Sequence, residues 1–126
     1  MILMIDHLGI AVPSLAEAVK AYEALGFRVE ATHEVPSEKV RAAFLPVGES
    51  RLELLEPTDA SSVIAKFLER RSGLHHVCVL VDDIEATLAE MKARGVPLID
   101  EVPRVGAGDL GWPSSTRGRR QVSYWR

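Results

Sequence analysis

The apolar and polar positions change period along this chain in a fixed order. Ile5 to Val12 is almost continuously apolar and stops at Pro13, which reads as a buried strand. Ser14 is a suitable N-cap, with Glu17 three residues on to complete a capping box. Leu15, Ala18, Val19, Tyr22 and Leu25 then fall at helical spacing, and Gly26 ends the helix. Phe27 to Val35 returns to a strand pattern, Pro36-Ser37-Glu38-Lys39 makes a turn, and Val40 to Val47 forms a third strand. Gly48-Glu49-Ser50 closes a hairpin with Arg51 to Glu56. A connecting helix is expected over Ser61 to Arg71, with Val63, Ile64, Phe67 and Leu68 buried and Gly73 closing it. Leu74 to Val81 is again a strand, Asp82 or Asp83 caps a helix running to Arg94, Gly95 stops it, and Val96 to Ile99 begins another strand.

The order repeats because the sequence does. Ile5-Asp6-His7-Leu8-Gly9-Ile10-Ala11-Val12 aligns without a gap on Leu74-His75-His76-Val77-Cys78-Val79-Leu80-Val81. Ser14 to Val19 then faces Asp83 to Leu88, and Leu25-Gly26-Phe27 faces Arg94-Gly95-Val96, all at an offset of 69 residues. A period of that length defines a duplicated structural unit. The reading is a single α+β domain over residues 1–126: a first βαβββ module (1–57), a connecting helix (58–73), a second module (74–105) and an irregular tail (106–126). The tail, rich in Gly, Ser and Arg, has no periodicity except that Gln121 to Trp125 could extend, so the second module is expected to lack its regular last two strands.

Composition narrows the class without choosing a function. Length 126, 47% hydrophobic and 26% charged residues fit one soluble globular domain. A net charge of −3 gives no footprint for nucleic acid, despite the basic Arg117, Arg119, Arg120 and Arg126. The one cysteine, Cys78, excludes an intramolecular disulfide and fits a reducing cytoplasm. The opening Met1-Ile2-Leu3-Met4-Ile5 is too short for a signal peptide, and no run approaches a membrane span.

The duplication concentrates the chemistry on two histidines. Strand alternation puts His7, Gly9 and Ala11 on one face and His76, Cys78 and Leu80 on the equivalent face, with Leu8, Ile10, Val12 and Val77, Val79, Val81 under the helices. Small Gly9, Ala11 and Cys78 leave room for a cavity. Neutral imidazole is a common divalent-metal ligand, so a histidine from each module forms a plausible half of a site. Glu53 lies between Leu52 and Leu54 and points to the cavity, where a charge needs a partner. That partner is either a metal or Arg51 on the same face. By alternation His75 points away from His76 and is a bystander, and His33 is exposed.

Several segments together resemble methylmalonyl-CoA epimerases of the vicinal-oxygen-chelate (VOC, glyoxalase-like) superfamily. They are Ile5 to Val12, Phe44 to Gly48, Leu52 to Pro57, Ile64 to Leu68, Gly73 to His76, Val81 to Ile84, Leu98 to Glu101, Pro103 and Gly106-Ala107-Gly108. The resemblance covers residues 2–108. It implies a curved, cup-like mixed sheet and a divalent metal (cobalt, manganese, zinc or similar) held by His7, Glu53 and His76. It also implies a small acyl-CoA substrate, a homodimer, and interconversion of (2R)- and (2S)-methylmalonyl-CoA by proton transfer through an enolate. The family's fourth ligand, a glutamate on the last strand, has no counterpart here, and the catalytic bases are not assigned.

The tail of the family resembles Val-Ala-Phe-Leu-His-Pro-(Lys/Arg)-Ser followed by Gly-Val-Leu-(Leu/Ile)-Glu-Leu. The genetic code permits that motif if the reading frame is displaced by one nucleotide. Trp112-Pro113 then yields Ala without choice; the junctions from Pro113 to Arg117 permit Phe, Leu, His and Pro; Tyr124-Trp125 forces Leu; and Trp125-Arg126 permits Glu. The expectation is a frameshift between about Gly108 and Gly111, leaving a chain impaired as an epimerase. The other classes compatible with the site are a glyoxalase- or dioxygenase-type VOC metalloenzyme and a metal-free VOC ligand-binding protein.

Overall fold

The computed structural model describes residues 1–97 and, for the backbone alone, residues 120–125. In chain order the elements are β1 (Ile2–Ala11), α1 (Leu15–Ala24), β2 (Ala31–Val35), β3 (Val40–Val47), β4 (Ser50–Pro57), α2 (Val63–Leu68), β5 (Gly73–Val81), α3 (Ile84–Ala93) and β6 (Arg120–Trp125). They form one mixed sheet in the order β2-β3-β4-β1-β5-β6. β1 runs parallel to β4 and antiparallel to β5, so the two modules meet along the β1–β5 seam. The α+β architecture matches the sequence expectation.

The helices start where the sequence supplies a cap. The Ser14 hydroxyl accepts from Glu17 N at 3.3 Å, and Asp83 Oδ1 accepts from Ala86 N at 3.1 Å. These two residues are equivalents in the repeat. A second tether holds α1 to the sheet: Glu56 Oε2 accepts from Leu15 N at 2.7 Å. Gly26 and Gly95 terminate the two helices at φ +102 and +72, a region that disfavours side chains.

Strand alternation separates two cores on opposite faces of the first module. Ala43, Leu45 and Leu54 pack with Leu15 of α1, and Ile10, Tyr22 and Phe27 join them. Ala42, Phe44 and Leu55 face the other way and pack with Ile64, Phe67 and Leu68 from α2. On the second module Val77, Val79 and Val81 pack against Ile84, Leu88 and Met91 of α3. Apolar burial on both faces stabilises the sheet and leaves the stretch around His7 and His76 as its polar interior.

Several expected boundaries move. β2 begins at Ala31 rather than Phe27, because Phe27 and Val29 are drawn into the α1 core; Glu30 N still bonds to Phe44 O at 2.9 Å. α2 is shorter than Ser61 to Arg71, since Ser62 takes extended backbone as the N-cap, and Val63 is exposed rather than buried. Gly73 opens β5 instead of closing the helix. Val96 and Pro97 are not in a strand, and Leu98 and Ile99 lie outside the described residues, as does most of the expected irregular tail. Arg120 to Trp125 does extend, pairing antiparallel with β5.

Candidate metal site at the module seam

Two irregularities in the β1–β5 ladder build the site. On β1, Ile5 pairs with Val79 and His7 with Cys78, so Asp6 is an extra residue. On β5, Gly9 pairs with His76 and Ile10 with Leu74, so His75 is extra. Asp6 and His75 are equivalent at the 69-residue offset, which makes these paired bulges. A bulge breaks strict alternation and re-aims side chains. Each one brings the extra residue beside the histidine that follows it.

The His7 and His76 rings meet edge to face, with Nε2 to Nε2 at 3.1 Å. His7 Nδ1 lies 2.7 Å from Asp6 Oδ2 and 3.1 Å from Glu53 Oε2. His76 Nδ1 lies 2.9 Å from His75 Nδ1. Gly9 makes the arrangement possible: a Cβ there would sit 2.1 Å from His76 Cε1. The three histidines and Asp6 thus form one continuous chain of contacts across the seam.

Behind His7 is a buried charge cluster. Arg51 approaches Glu53 Oε2 through Nε at 2.9 Å and Nη2 at 2.8 Å, and Asp6 Oδ2 through Nη1 at 3.3 Å. Its guanidinium also lies 5.2 Å from the Phe44 ring centroid. Asp6, Glu53 and Arg51 are all 3–5% exposed, so among the described residues two carboxylates confront one guanidinium away from water. The imbalance favours a second cation. Burial alone lowers the His7 pKa, but the Glu53 charge, the Asp6 hydrogen bond and neighbouring Cys78 push it up to about 10. His75 goes the other way: burial and the Arg71 charge lower it to about 4, and its ring stands edge-on to Phe67 at 4.9 Å.

With His7 protonated, as its raised pKa directs, one proton assignment satisfies these contacts between the rings. An imidazolium at His7 donates from Nδ1 to the carboxylates and from Nε2 to His76 Nε2. A neutral His76 donates from Nδ1 to His75 Nδ1. A divalent cation fits this arrangement in place of the Nε2 proton, because nitrogens 3.1 Å apart can both reach one ion at the roughly 2.0–2.1 Å typical of zinc–imidazole bonds.

Of the expected ligands, His7 and His76 are brought together. Glu53 is buried in the same cluster, but its Oε2 contacts Arg51 and the Nδ1 side of His7, which is the ion-pair alternative open from the sequence. His75 is no bystander, because the bulge turns it onto His76. His33 is half-buried 5.3 Å from Phe44 rather than exposed. Alternation hides Asp6 as a site residue; its offset from His75 was the available signal. Asp6, His7 and Cys78 also place a donor atom each within 4.8 Å of one another.

A cup-like sheet of two equivalent modules, with a histidine from each at the seam, defines a class of proteins. Residues 6–113 match the Glyoxalase/Bleomycin resistance protein/Dioxygenase superfamily. The chain is 40% identical to the YqjC protein of Bacillus subtilis (strain 168), over 82% of this chain and 75% of that one. It is 36% identical to the ethylmalonyl-CoA/methylmalonyl-CoA epimerase of Cereibacter sphaeroides, over 85% of this chain and 83% of that one. A solved methylmalonyl-CoA epimerase in complex with methylmalonyl-CoA and NH4+ superposes with a TM-score of 0.76 at 35% identity, covering 85% of this chain and 80% of that one. The chain belongs to the methylmalonyl-CoA epimerase family of enzymes within that superfamily. It spans only 60% of the length of the human mitochondrial member. No helix among the described residues is long and apolar enough to cross a membrane.

Proposed function

We propose that this chain epimerises methylmalonyl-CoA, moving a proton at the carbon between carboxylate and thioester through an enolate, and that its tail impairs it. The observation that carries the reading is the convergence of His7 and His76 through Nε2, in a chain whose relatives include solved and curated epimerases. His7 and His76 would hold a divalent cation, and Glu53 would join them as a third ligand by giving up its contact with Arg51 and His7 Nδ1. When bound, such an ion supplies positive charge that stabilises oxyanion character. Arg51 and Asp6 keep Glu53 and His7 in place, and burial excludes water from that side.

Impairment is supported by the register of the last strand. β4 sets Glu53 opposite Gly9, but β6 sets Ser123 opposite Cys78, the repeat equivalent of Gly9. A serine offers no carboxylate. The frameshift reading explains why, and the segment where the frame would change lies outside the described residues.

An acyl-CoA substrate and a homodimer in the cytoplasm complete the reading. Ile2, Leu3 and Ile5, each about half exposed on β1, give a dimer an apolar surface to cover. The test is solvent deuterium incorporation into methylmalonyl-CoA, with Co2+ content measured per chain. Slow, Co2+-dependent incorporation is the expected result. No incorporation by either this protein or its frame-restored form would overturn the activity, and full turnover by this protein would overturn the impairment.

A further inference from the structure

We infer that Asp6 and His75 are a matched pair of positioning residues, one per module, which hold Nδ1 of His7 and of His76 and so aim both Nε2 atoms at a shared point. The inference rests on the metal-site reading above and deepens it. Three independent observations converge. The two residues are equivalent in the repeat, each is the extra residue of a bulge in the β1–β5 ladder, and each contacts Nδ1 of the next histidine, at 2.7 and 2.9 Å.

Without the bulges, alternation would point Asp6 and His75 to the helix side of the sheet. Each bulge costs ladder pairing at the centre of the sheet, and in return a neighbouring side chain fixes one imidazole. A neutral ring whose Nδ1–H donates to a partner presents its Nε2 lone pair outward, and its orientation is set. The partners differ in charge. Asp6 is a carboxylate held by Arg51, whereas His75 is wedged against Phe67. Asp6 therefore offers His7 a charged partner, and His75 offers His76 an imidazole. Nucleophilic or acid–base work at the substrate is not assigned to either positioning residue.

The experiment compares wild-type protein with His75→Phe, His75→Asn, Asp6→Leu and Asp6→Asn. Imidazole 15N NMR of the metal-free protein reads the His76 tautomer, and calorimetry with Co2+ alone reads affinity. Wild type is expected to show His76 as the Nδ1–H tautomer. His75→Phe keeps the ring packing and is expected to lose that tautomer and bind Co2+ about 10–100-fold more weakly. His75→Asn restores an acceptor and recovers most of the affinity. Asp6→Leu is expected to weaken Co2+ by a similar factor and Asp6→Asn by less.

Wild-type His76 in the Nε2–H tautomer would overturn the inference, even if the Phe and Leu variants fail to fold. So would folded His75→Phe and Asp6→Leu proteins with Co2+ affinities within twofold of wild type. Wild-type protein that binds no Co2+ would sink the metal-site reading instead, while the tautomer still decides the positioning of His76.

Discussion

In the first module β1 has β4 as its outer neighbour, running parallel and setting Glu53 opposite Gly9; in the second, β5 has β6, running antiparallel and setting Ser123 opposite Cys78. The two seam strands each carry a bulge beside the site histidine, and β1 has a further irregularity at Leu3. The difference lies in charge. The first module holds Asp6, Glu53 and Arg51 buried together, whereas the second has His75 at the place that matches Asp6 and Cys78 where the first has Gly9. A site assembled from two copies can keep its geometry when one copy changes, because the seam fixes the histidines. Its charge balance then falls to the module that kept its carboxylates.

The largest expected effect comes from breaking that balance. Arg51→Met removes from the buried Asp6 and Glu53 carboxylates the guanidinium that contacts both. Removing one partner of a buried ion pair costs about 3–5 kcal/mol. Urea denaturation should show a loss of that order in the metal-free protein, with Co2+ recovering part of it by supplying charge. A loss under about 1 kcal/mol would show that the cluster is well solvated.

Completing the second module should have the next largest effect, and it acts on activity. Restoring the displaced frame after Gly108 is expected to raise epimerisation by about 100-fold, equivalent to about 2.7 kcal/mol in the barrier. Codons in the encoding DNA that cannot spell the family motif in the shifted frame would end that explanation. Equal rates for the two forms would show that the tail does not limit the site.

The sequence made the seam legible and hid its details for a physical reason. Duplication and strand alternation point to His7 and His76 on one face, and that is where they lie. Alternation also assigns Asp6 and His75 to the other face, and it fails at both because a bulge inserts one unpaired residue. Glu53 was legible as a buried carboxylate, but its choice between Arg51 and a metal depends on distances no pattern carries. Phe27 has strand propensity and a strand neighbour, yet the α1 core claims it. The direction of β6 was invisible, since six residues outside any repeat carry no register.

Gly9 and Cys78 exchange places under the repeat, and their variants separate the two halves of the seam. Gly9→Ala puts a Cβ 2.1 Å from His76 Cε1, so the ring must leave its position. Overpacking of this kind costs about 2 kcal/mol, and the displaced Nε2 should also weaken Co2+ binding. Cys78→Ala removes one buried sulfur beside His7 and should cost about 1 kcal/mol, with little effect on the metal. Thermal melts with and without Co2+ distinguish the two. Equal Co2+ stabilisation in both variants would show that the His76 ring position is not critical.

The smallest effect compares the equivalent helix caps, Ser14 and Asp83. Both side chains accept from a backbone N–H in the first turn, at 3.3 and 3.1 Å, so alanine at either should cost about 1 kcal/mol. Asp83 carries a negative charge beside the helix N-terminus and gains a further few tenths of a kcal/mol at low salt. Ser14 has no such charge, but α1 keeps the Glu56 carboxylate on Leu15 N when Ser14 is removed. Asp83→Ala should therefore be the more damaging of the two in low salt, and the gap should narrow as salt is raised. Asp83→Asn isolates the charge, because it retains the cap and loses only the dipole interaction. If Ser14→Ala is instead the more damaging at every salt concentration, the Glu56 tether contributes little, and α1 depends on its own cap as α3 does.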